Sequence, residues 1–104
     1  MDLRRYQTAE GCVPYSDWIR ALDSGTAGRI SAYVDRMKYG NFGRSEPVGR
    51  GVSELKIDFG PGYRVYYLQD GGTVVVLLCG GDKSSQQGDI RLAQEFSEDY
   101  WRRR

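Results

Sequence analysis

Residues 52–79, "VSELKIDFGPGYRVYYLQDGGTVVVLLC", decide the fold. In the first eight, Leu55, Ile57 and Phe59 alternate with Glu54, Lys56 and Asp58, the period-two pattern of a strand buried on one face. Gly60-Pro61-Gly62 turns the chain into "YRVYYLQ", and Asp70-Gly71-Gly72 turns it again into "TVVVLLC", so three consecutive strands are joined by hairpins. A loop of Gly60 to Gly62 predicts that Phe59 faces Tyr63, Ile57 faces Val65 and Leu55 faces Tyr67 on the core side. Asp58 then faces Arg64, and Lys56 faces Tyr66, on the other side. The second hairpin turns at Asp70-Gly71 or Gly71-Gly72, registers that differ by two residues, and in both Cys79 shares a face with Arg64.

Working outward, "LRRYQ" at 3–7 reads as a short edge strand. Pro14 suits a helix start, and Trp18, Ile19 and Leu22 form an apolar stripe until Ser24-Gly25 interrupts it. A second helix carries Ile30, Val34 and Met37 and stops at Gly40; the short link predicts an antiparallel helical hairpin. Residues 41–51, "NFGRSEPVGRG", read as a loop. After the last strand, Ile90, Ala93 and Phe96 mark one face of a closing helix, with Ser84 or Ser85 as its N-cap. The predicted order is β-α-α-β-β-β-α: a single α+β domain over residues 1–104, with a small antiparallel sheet packed against helices.

A net charge of +1 excludes a polycation that coats nucleic acid indiscriminately, so any RNA-binding charge must be local. Cys12 and Cys79 lie in unlike contexts, which argues against a disulfide framework. "VVVLLC" is too short to cross a bilayer and no leader pattern opens the chain, so no membrane association and a cytoplasmic location are expected. With no histidine, no cysteine pair at ligand spacing and no Walker-type loop, the sequence points to no metal and no cofactor.

The hairpins bring Lys56, Arg64 and Lys83 from three strands to what should be the open face and rim of the sheet, where rigid backbone holds them. Arg44 and Arg50 flank the preceding loop, and Tyr66 points outward as a base-stacking platform. Ser85 and Gln86 sit where the first turn of the last helix offers free amides to an anion. Each has a plainer role. Arg64 pairs with Asp58, Lys56 is a solvated charge, Lys83 extends a turn, Tyr66 packs, and Ser85 and Gln86 cap; "WRRR" at 101–104 suits a helix C-terminus.

The strings "GVSELKIDFGPGYRVYY" and "VVVLLCGGDKSSQQGDIRLAQEF", with "EGCVPYSDWIRAL" and "GRISAYVDRMKYGNFG", resemble the RelE/ParE toxin superfamily, in its HigB-like addiction-module branch. The resemblance covers nearly the whole chain and implies the same RelE-like order of elements. It implies a toxin of a type II toxin–antitoxin module that enters the ribosome and cuts mRNA without metal. Its partners would be the ribosome, mRNA and a cognate antitoxin of helix-turn-helix type. Carried over by position, the arginine of "GYR" is Arg64, the basic residue of "ELK" is Lys56 and the lysine of "GGDK" is Lys83. Arg64 would stabilise charge on phosphorus, and Lys83 would move a proton beside it. Two positions depart from the pattern: Lys56 stands where arginine is common, and the histidine or tyrosine some members carry near the C-terminus has only Tyr100 as a counterpart. The ParE branch implies a different outcome, a gyrase poison without catalysis, and a remnant that only binds its antitoxin is a third.

Overall fold

The computed structural model describes residues 1–104. Its elements are β1 (Asp2–Arg5), α1 (Pro14–Ala21), α2 (Ser24–Asp35) continued by a 3-10 turn (Arg36–Tyr39), β2 (Arg44–Gly49), β3 (Val52–Ile57), β4 (Tyr63–Asp70), β5 (Val74–Asp82), a second 3-10 turn (Lys83–Ser85) and α3 (Gln86–Arg103). The α+β class and every expected helix are present. Pro14 occupies the first turn of α1, Asp23 caps α2 by accepting from the Thr26 amide at 3.2 Å, and Gly40 ends the helical stretch at φ 82°.

The sheet differs from expectation in two ways. Residues 41–51 are not all loop: they contain β2, which pairs antiparallel with β3 and makes the order β-α-α-β-β-β-β-α. Pro47 and the glycines disguise it, and they are tolerated because β2 is an edge strand with an irregularity between Pro47 and Gly49. Nor is the sheet purely antiparallel. The five strands run β1-β5-β4-β3-β2, and β1 lies parallel to β5, since the helices carry the chain across to the far edge before β2 begins.

Both sheet faces are covered. On one, Tyr15, Ile19, Ile30, Val34 and Met37 of the first helices pack on Leu55, Ile57, Val65, Tyr67, Val75 and Leu77. On the other, α3 lays Ala93, Ile90 and Phe96 over Tyr66, Leu68, Val76, Leu78 and Cys79. The face expected to be open therefore forms a second core.

The hairpins explain which residues meet. Ile57 is opposite Tyr63, Lys56 opposite Arg64 and Leu55 opposite Val65, so each β3 residue has a partner two positions from the expected one. The loop is longer because Gly60 and Gly62 both take positive φ and Gly62 N–H closes on Phe59 O at 3.0 Å. A slip of two residues changes partners but not faces. In the second hairpin Asp70 pairs with Val74, a turn one residue longer than expected, which alone would reverse the faces. A bulge in β5 at Leu78 restores them: Tyr66 faces Cys79 and Arg64 faces Gly81.

Candidate active site

Two rows of residues cross the sheet on the face that α3 packs against, reaching past α3 to the exposed β2 edge. In one, Arg44, Lys56, Arg64 and Gly81 are successive strand partners; in the next, Glu46, Glu54, Tyr66 and Cys79 are. A row of cations thus lies beside a row holding two carboxylates, and the pairs form diagonally: Lys56 Nζ is 3.4 Å from Glu46 and Arg64 Nε is 3.5 Å from Glu54. Asp58, expected opposite Arg64, pairs with Arg44, because the register places it within the hairpin loop.

Glu54 is the residue that sequence reasoning missed. It is 2% exposed, and its Oε1 accepts from Gln86 Nε2 at 2.7 Å and from the Tyr66 hydroxyl at 3.3 Å. Burial, followed by the adjacent Glu54 charge, pushes the Tyr66 phenol well above its usual range, so it remains a neutral donor. Arg64, 8% exposed, turns Nε toward the same carboxylate oxygen, but the alignment is poor and Nε makes no hydrogen bond. The other end of the guanidinium reaches the surface. A Cβ added at Gly62 would sit 3.7 Å from Arg64 Nη1 and 3.7 Å from Lys83 Cβ. These residues line a depression of about 380 Å³ with Asp58, Phe59, Gly60 and Pro61. Arg64 and Lys83 are therefore neighbours, as the sequence predicted, with the arginine buried against the Glu54 carboxylate and the lysine exposed.

The glycine pair before Lys83 has a packing reason on each side. A Cβ at Gly80 would lie 2.3 Å from the Trp18 ring of α1, and one at Gly81 would lie 1.9 Å from Asp89 Oδ2 of α3. The strand thus ends pinched between two side chains from opposite faces. The cap is Asp82, which accepts from the Ser84 amide at 2.8 Å and from its hydroxyl at 2.5 Å; these bonds hold its carboxyl below the usual range. Ser85 stands at the N-cap position of α3 without a capping bond and donates instead to Asp89 at 2.6 Å.

Other expected site residues are placed elsewhere. Tyr66 points to the predicted face, but α3 covers it and it is 0% exposed, so it offers no stacking surface. Gln86 is committed to Glu54 and Ser85 to Asp89. Arg50 takes φ 55° in the β2–β3 turn and pairs with Glu98. It is six residues from Lys56, roughly 20 Å along an extended strand. Tyr100 donates to Asp70 at 2.7 Å, at the end of β4 opposite Arg64. The terminal arginines are tied down too: Arg103 to Asp99 and Arg104 to Asp70. Nowhere do three histidine, cysteine, aspartate or glutamate side chains gather in a group able to hold a metal ion.

The fold and site define a small α+β domain whose central sheet carries a buried acid behind a surface-directed arginine. The family described as "Phage derived protein Gp49-like (DUF891)" matches residues 17–96, and the chain belongs to it. An uncharacterized protein of Haemophilus influenzae is 42% identical over 86 residues, which cover 82% of this chain and 87% of that protein. The matched span includes Glu54, Lys56, Arg64 and Lys83. No helix is long and apolar enough to cross a membrane.

Proposed function

We propose that this protein is the toxin of a type II toxin–antitoxin module, acting in the cytoplasm on mRNA held in the ribosome. The observation that carries the reading is the pairing of Arg64 and Lys83 about Gly62, with Arg64 backed by buried Glu54. In the proposed reaction the 2′-hydroxyl attacks its neighbouring phosphate. The 2′-hydroxyl gives up its proton to water as the O–P bond to the 2′-oxygen forms, the bond to the 5′-oxygen breaks, and the leaving oxygen takes a proton. Arg64 meets the charge that builds on the phosphorus oxygens, since its planar fork matches two of them and never deprotonates. Lys83 donates the proton to the leaving oxygen, and the ribosome holds the RNA in line. This division of labour suits a chain with a net charge of only +1. The partner that silences it is an antitoxin that masks the depression.

The test is expression without an antitoxin, followed by pulse labelling and by mapping of mRNA ends on programmed ribosomes. Translation should fall before replication, with new 5′ ends inside codons. If supercoiling and replication fail first while mRNA stays intact, the protein acts as a gyrase poison.

A further inference from the structure

A second depression, of about 270 Å³, lies on the other side of Asp58, which lines both. Its floor is apolar: Leu55 lies there, 1% exposed, and Gly43, at φ 53°, packs directly against it, since a Cβ there would come within 3.3 Å of Leu55 Cδ1. Its walls are polar and charged, and Arg44 and Asp58 among them pair with each other. Arg36 has no carboxylate partner; its guanidinium lies over the Tyr33 ring, 4.6 Å from the centroid, with the residue itself exposed. The Asn41 Oδ1 accepts from the Gly43 amide at 3.0 Å, which fixes the amide group and leaves its NH₂ without a partner. Lys56 lines the depression and is the strand partner of Arg64, and Asp58 lines both, so the two depressions adjoin.

An apolar floor, a flat cation braced on an aromatic ring and a fixed amide donor make the combination that holds an unpaired base. Bases stack on guanidinium planes, and an amide reads their exposed edges. We propose that this depression is a nucleotide subsite. It would take the base of a single-stranded RNA nucleotide adjoining the phosphate at Arg64 and Lys83, with Arg36 stacking on the base, Asn41 donating to an acceptor on its edge and Lys56 meeting the intervening phosphate. The proposal rests on the nuclease reading and adds base preference to it.

Two measurements decide it separately from that reading. First, the isolated protein is titrated with 2′-O-methyl RNA trinucleotides that cannot be cut, and the Asn41 side-chain amide and Gly43 backbone amide are followed by NMR. Both should shift, for one middle base more than the others, and Arg36→Ala should abolish the shifts. No shift at millimolar trinucleotide overturns the subsite even if the protein cuts RNA. Second, cut sites are mapped on programmed ribosomes. Arg36→Ala and Asn41→Ala should flatten the base preference at one position by about tenfold while Arg64→Lys lowers the rate and leaves the preference unchanged. Active variants with the parental cut-site profile would likewise overturn it. Arg36 and Asn41 are both exposed, so their replacement should cost only the Tyr33 stacking contact and the Gly43 hydrogen bond and leave the protein folded, with a small fall in melting temperature.

Discussion

Replacing Arg64 tests the pair beneath the site. Its Nε lies 3.5 Å from Glu54 Oε1, and the two residues are 8% and 2% exposed. At an effective dielectric constant of about 20, two charges at that separation attract by about 5 kcal/mol, and desolvation of both ions offsets much of this. Removing one partner is a different matter, because the other remains buried; that costs about 3–5 kcal/mol. Tyr66 and Gln86 continue to donate to Glu54, which places Arg64→Ala at the lower end, about 3 kcal/mol. For a domain of this size that is a fall of roughly 12–24 °C in Tm. The exposed pair with Asp58 expected from sequence would have cost no more than about 1 kcal/mol. The assay is urea denaturation of Arg64→Met, Glu54→Gln and the double variant, read as a double-mutant cycle with an expected coupling above about 1 kcal/mol. Arg64→Lys, which keeps the charge and loses the fork, should retain more stability than Arg64→Ala yet cut RNA at least about 10²-fold more slowly than the parent. An Arg64→Ala protein within about 1 kcal/mol of the parent, together with an additive cycle, would show that Glu54 does not hold the arginine.

Other expectations follow from single contacts. Gly80→Ala drives a methyl into Trp18, whose ring is flanked by Tyr15 and Tyr63 at 5.8 and 6.4 Å, and should cost about 1–3 kcal/mol by urea denaturation. Gly81→Ala should cost less, because the end of Asp89 can turn away at the expense of its Ser85 bond; the reverse ranking would count against the packing described. Thiol labelling of the native protein should be fast at exposed Cys12 and blocked at buried Cys79, whose thiol burial and, secondarily, Asp89 push up to about 12; two rapid equivalents would contradict this. Asp99 is lowered to about 2, first by its bond from Arg103 and then by that from Tyr6. Its folded value lies below the unfolded one of about 4, so its contribution is complete above about pH 4 and is lost as pH falls through about 2. Asp99→Asn should flatten Tm against pH across that window, and parallel curves would remove Asp99 from the acid response.

Periodicity alone carried the sequence a long way. Alternation in 52–59 assigned Leu55 and Ile57 to one face and Lys56 to the other, and a register error of two residues could not undo that because side chains repeat every two. The helices were legible because Pro14, Gly40 and the apolar stripes act locally. β2 was not, since Pro47 and three glycines speak for a loop unless the strand is known to lie at an edge. The proximity of Arg64 and Lys83 was readable because it needs only that β5 run antiparallel to β4.

What an element faces is another kind of information. Nothing in "VSELK" distinguishes a glutamate in solvent from one sealed under a helix, because burial depends on where α3, more than thirty residues later, comes to rest. That placement removed Tyr66 from the surface, gave Gln86 to Glu54 and changed Arg64 from an exposed charge into one buried beside a carboxylate. The sequence by itself determined the helices, every strand but β2 and the ends at which the cations gather, since propensity and period are properties of neighbours along the chain. Only the tertiary structure decided which face was covered, and with it the partner of the arginine, since burial is settled between elements distant in sequence.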